Sequence, residues 1–119
     1  YEIFRTEFPE ISSKVDEIHQ CLLGSDVDEE YPALWFESFA KLVNSEMNSG
    51  TKVSSYCEVF EFLRKQYVLG DDSAKNVIDV SIIENLFWQV APSRAKVYWN
   101  DLPAVFKELY VEFHGKTPA

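Results

Sequence analysis

The apolar residues of this chain recur at helical spacing. Phe8, Ile11, Val15, Ile18 and Leu22 stand three and four apart, which predicts a helix over about 9–23 with Pro9 in its first turn and Gly24 as its stop. A second helix is predicted from Pro32 to about Asn48, with Leu34, Trp35, Phe36, Phe39, Leu42, Val43 and Met47 as its apolar set. Val53, Tyr56, Cys57, Phe60, Leu63 and Tyr67 mark a third over about 52–69, closed by Gly70. The stretch from Asp72 to Val90 is apolar nearly all round, including Trp88. That pattern predicts one long helix in the middle of a bundle, capped by Asp71 or Asp72. After Pro92 a short helix to about Trp99 is expected. A last helix begins near Asp101-Leu102-Pro103 and carries Leu102, Val105, Phe106, Leu109, Tyr110 and Phe113. No sustained two-residue alternation and no Asn-Gly hairpin signal occurs. The expected architecture is therefore all-α, an irregular bundle of five or six helices in a single domain, 1–119.

Charge changes this picture more than composition does. Twenty acids oppose eleven bases, a formal net charge of −9. The excess gathers at the amino end: residues 1–30 hold nine acids and two bases, whereas 31–70 hold four of each. A field of this sign repels phosphate backbones and anionic membranes and attracts basic protein surfaces. Asp26, Asp28, Glu29 and Glu30 crowd the connector between the first two helices, and such a run must be solvated or turned toward a partner. With Asp16, Glu17, Tyr31 and Trp35 beside them, these acids form the predicted partner-binding set, since large aromatics concentrate at interface hot spots.

Catalytic and metal-binding signals are absent from the pattern. The connector lacks the glycine and ligand register of a calcium loop, and no Gly-rich phosphate loop, G-x-S-x-G or H-E-x-x-H occurs. His19 and His114 are expected in structural or surface roles, and Cys21 and Cys57 as reduced core thiols. No cofactor, no metal and no enzymatic activity are expected. No apolar run approaches a membrane span and no signal-type segment is seen, which places the chain in the cytoplasm.

The segments FPEI (8–11), YPALWFESFAKLV (31–43), YCEVFEFLRK (56–65) and DDSAKNVIDVSIIENL (71–86) resemble a family of small acidic helical bacterial domains. The resemblance covers about two thirds of the chain and rests mostly on packing residues, and the part from Pro92 on departs from it. Some members of that family serve as immunity proteins, which neutralise toxins delivered between competing bacteria, contact-dependent growth inhibition toxins among them. The resemblance and the charge together imply an inhibitor of a basic, nuclease-type toxin domain. The alternative is a non-catalytic adaptor that binds a peptide helix in an apolar groove.

Overall fold

A computed structural model describes residues 2–23 and 32–118. Among these the chain forms seven α-helices and no strand: α1 Glu2–Glu7, α2 Pro9–Leu23, α3 Pro32–Asn48, α4 Cys57–Leu69, α5 Asp72–Asn76, α6 Pro92–Asp101 and α7 Ala104–His114. A 3-10 turn, Val53–Ser55, precedes α4, and a π-helical segment, Val77–Ile83, follows α5. The all-α expectation holds.

The central element is α3. It packs against α2, the π segment and α6, and its buried residues Trp35, Phe39, Leu42, Val43 and Met47 face several directions. One apolar cluster runs through every helix except α5. Its amino-terminal half is aromatic. The Phe4 ring lies 5.2 to 5.9 Å from those of Phe8, Trp35, Phe36, Phe39 and Phe62, mostly edge to face, the arrangement that ring quadrupoles favour. Phe4 belongs to α1, a helix of six residues that the periodicity did not reveal. So short a helix has no stability of its own and forms because the core accepts its phenylalanine.

The predicted long helix over 72–90 does not exist as such. Asp71 caps α5, its Oδ1 accepting from the Ala74 N–H at 2.9 Å, but α5 ends at Asn76. The backbone then widens into the π segment, where the Glu84 N–H reaches the Asp79 carbonyl five residues back at 3.1 Å. Asn85 helps this widening by donating its side-chain amide to the Ser81 carbonyl at 2.9 Å.

Beyond Asn85 the chain leaves the helix through two residues in the left-handed region, Phe87 at φ 68° and Gln89 at φ 56°. Neither is glycine, so each costs about 1–2 kcal/mol. Two features offset that cost. Phe87 turns inward and packs on Trp99 and Tyr110, at 5.9 and 5.4 Å. Two asparagines of α3, one turn apart, grip the loop backbone. Asn44 donates to the Asn85 carbonyl at 2.9 Å and accepts from the Phe87 N–H at 2.7 Å. Asn48 donates to the Gln89 carbonyl at 3.1 Å and accepts from the Ala91 N–H at 3.3 Å. As a result Trp88, expected in the core, stands 64% exposed at the tip of the loop.

Smaller corrections follow the same logic. Cys57, expected among the core thiols, is exposed, because the 3-10 turn rotates the start of α4 and lets its Sγ donate to the Val53 carbonyl at 3.4 Å. The side chain of Cys21 lies outside the described set. Gly50 closes α3 at φ 81°, and a side chain there would also meet the Arg94 guanidinium.

Candidate partner-binding surface

A hollow of about 410 Å³ opens where α1 hands over to α2 and both face the 3-10 turn and the start of α4. Phe8, Ile11 and Val59 form its apolar floor, Ser54 and Ser55 one wall, and Glu7, Glu10 and Glu58 its carboxylates. Among the described residues, no basic one lines it. Local structure explains part of this. Glu10 and Glu58 sit in the first turns of α2 and α4, where a negative side chain offsets the partial positive charge of a helix start. Two half-charges cannot neutralise three carboxylates, however, and the hollow stays negative. Among the described residues, Glu7, Glu10 and Glu58 enter no ion pair.

A second hollow of about 280 Å³ shares Glu10, Ile11 and Ser55 with the first, so the two form one groove. This end is braced internally. Glu46 pairs with Lys14 at 3.6 Å and accepts a hydrogen bond from the Thr51 hydroxyl. The Tyr98 hydroxyl donates to the Thr51 carbonyl at 2.8 Å. Burial, and then the neighbouring Glu46, pushes the Tyr56 hydroxyl well above its usual range, and burial first of all lifts that of Tyr98 to about 12. Both phenols therefore remain neutral donors at any physiological pH. The groove thus has a fixed, satisfied end at Glu46 and an unsatisfied anionic end at Glu7, Glu10 and Glu58.

The predicted site residues divide. Asp26, Asp28, Glu29, Glu30 and Tyr31 lie outside the described residues. Glu17 is exposed on α2, on the same stripe as Glu10 and Lys14, and prolongs the anionic face by a turn. Asp16 points the other way. Arg5 donates to both of its carboxylate oxygens, at 2.9 and 2.7 Å, and the Trp35 indole N–H donates to one of them at 2.8 Å. Trp35 is fully buried, so its expected place at a partner contact is corrected: it belongs to the core and orients Asp16. The Arg5 guanidinium lies 5.4 Å from the Trp35 ring centre, and the trio fastens α1, α2 and α3 together.

The same trio makes a pH prediction. Arg5 above all, opposed by partial burial and helped by Trp35, holds the Asp16 carboxyl below its ordinary 3.8. The folded value is the lower one, so its contribution to stability is present above 3.8 and is lost as pH falls through the folded value. Asp16→Asn should therefore be less stable than wild type in urea at about pH 7, with the gap narrowing as the pH is taken below 3.8. A gap that persists unchanged in acid would show that the charge is not what holds the trio.

His19 and Ser38 meet inside the α2–α3 seam, Nδ1 to Oγ 3.2 Å, both buried. The Ser38 hydroxyl also bonds the Leu34 carbonyl at 3.4 Å, so the pair acts as a seam between helices without access for a substrate. His114 is exposed and stacks on Tyr110 at 4.1 Å. Among the described residues, no group of three or more His, Cys, Asp and Glu side chains is placed to hold a metal ion, and no helix is long and apolar enough to cross a membrane. The groove carboxylates were visible in the sequence, but nothing there indicated that residues 7–10 would meet residues 54–58.

A family described as "Domain of unknown function (DUF7674)" matches residues 1–115. No curated protein and no solved structure matches the chain.

Proposed function

The chain belongs to the DUF7674 family, and on the geometry of its groove we propose that it is a non-catalytic binding domain that captures a cationic segment of a partner protein. The observation that carries this reading is the set of uncompensated carboxylates, Glu7, Glu10 and Glu58, above the floor of Phe8, Ile11 and Val59. A basic residue entering there meets negative potential, while its aliphatic stem covers apolar surface. The overall charge of −9 supports the same partner by steering it from a distance. In its finer form the proposal is an immunity protein of the cytoplasm that blocks a basic, nuclease-type toxin. The resemblance of residues 8–11, 31–43, 56–65 and 71–86 to a family containing such inhibitors supports that form.

The test is co-expression with the product of the adjacent gene, followed by association kinetics at several salt concentrations. A complex of one to one stoichiometry is expected, with an association rate that falls steeply as salt rises. Changing Glu7, Glu10 and Glu58 together to Gln should slow association about tenfold or more and flatten the salt dependence. An unchanged rate in the triple variant would remove the groove from the interface. A salt-independent complex would favour the adaptor reading, in which the apolar floor alone takes up a peptide helix.

A further inference from the structure

The Asn-gripped loop shows an economy that a passive turn would not need. Glycine at positions 87 or 89 would relieve the left-handed strain, yet both carry side chains, and four hydrogen bonds from Asn44 and Asn48 hold the arrangement. What the strain achieves is the outward presentation of Trp88 on a backbone held in place on either side of it. Trp88 borders a hollow of about 400 Å³ whose other lining is polar: Lys41, Ser45, Ser49 and Gln89, with Asn44 and Asn48 behind them. This hollow shares no residue with the acidic groove.

We infer that Trp88 and this hollow form a binding site for a neutral saccharide. A pyranose ring has one face of C–H bonds, which the negative face of an indole attracts, and an edge of hydroxyls, which short hydroxyl and amide side chains can bond. An exposed indole beside serines and a glutamine offers both chemistries at once. Charge narrows the class. A net charge of −9 disfavours polyanionic sugars at long range, and although the same field attracts cations, the Lys41 ammonium opposes an amino sugar at close range.

Tryptophan emission provides the readout, because Trp35 is fully buried and Trp99 half-buried, so a small solute reaches Trp88 first. Three tetrasaccharides serve as probes: cellotetraose (neutral), tetragalacturonate (anionic) and the glucosamine tetramer (cationic). Cellotetraose at millimolar concentration should shift the emission to the blue, and bind about threefold or more tightly than tetragalacturonate. Trp88→Ala should abolish binding, Trp88→Phe should retain part of it, and thermal stability should change little in either variant because the side chain is exposed. Lys41→Gln should raise affinity for the glucosamine tetramer about two- to fivefold and leave cellotetraose unchanged. No response to any of the three probes overturns the inference, as does binding that persists in Trp88→Ala. Complex formation through the acidic groove is measured separately, so either outcome leaves that question where it stood.

Discussion

Phe4→Ala should destabilise the protein by about 3–5 kcal/mol, the usual loss when a fully buried phenylalanine is cut back to a methyl group. The size follows from its surroundings. The ring is 1% exposed and contacts five other aromatic rings, three from α3, one from α4 and that of Phe8 between α1 and α2. Those neighbours belong to separate helices and cannot close together over the void. For a domain whose total stability is about 5–15 kcal/mol, this single change removes a large share. Urea unfolding should show a lower midpoint with an unchanged slope. A shift worth less than about 1 kcal/mol would mean that α1 is not docked as described. A larger consequence follows for the groove: α1 supplies Glu7, so loosening Phe4 should also weaken partner binding.

The second large effect is expected at Asn44. Its side chain is buried and satisfies one backbone carbonyl and one backbone N–H of the loop. Asn44→Ala leaves both without partners. A buried polar group stripped of its partner costs about 1–3 kcal/mol, so the sum is about 2–5 kcal/mol. Asn44→Asp should do no better. It keeps an acceptor for the Phe87 N–H but sets a buried charge against the Asn85 carbonyl. Asn48 gives the internal comparison, because it makes the same pair of bonds one turn away but is exposed. Water can replace it there, so Asn48→Ala should cost only about 0.5–1.5 kcal/mol. Equal losses at the two positions would show that burial is not what sets the cost at Asn44.

The amphipathic stripes of α2, α4 and α7 were legible for the most part because each is a helix with one wet side, but Cys57 at the start of α4 and Phe113 at the end of α7, both expected on the buried face, are exposed. Three features escaped the same reasoning. α1 carries too few residues for a period to appear, and its formation depends on a partner core formed by distant segments. The stretch 72–90 has helical composition throughout, but its path is set by Asn44 and Asn48, some forty residues earlier, through hydrogen bonds that leave no periodic trace. Trp35 and Trp88 exchanged their expected places for a related reason. Burial of a tryptophan depends on what faces it: Asp16 gives the Trp35 N–H a partner in the core, whereas Phe87 takes the inward position that Trp88 was expected to occupy. Charge was readable as an amount and as an amino-terminal excess. The specific meeting of Glu7 and Glu10 with Glu58 was not, since it depends on how α1 and α2 approach α4.

The spacing of Asn44 and Asn48 acts as a ruler. Their amides sit one helical turn apart, roughly 6 Å along α3, and each must meet a backbone group at a set position between Asn85 and Ala91. A residue inserted into or deleted from that stretch would leave at most one asparagine in register. Sequence drift can alter which side chain occupies position 88, and so what the loop offers to solvent, while the number of residues in the stretch stays fixed. Chain-length variation among relatives is therefore expected elsewhere, and this segment should tolerate exchange of identity but not of count.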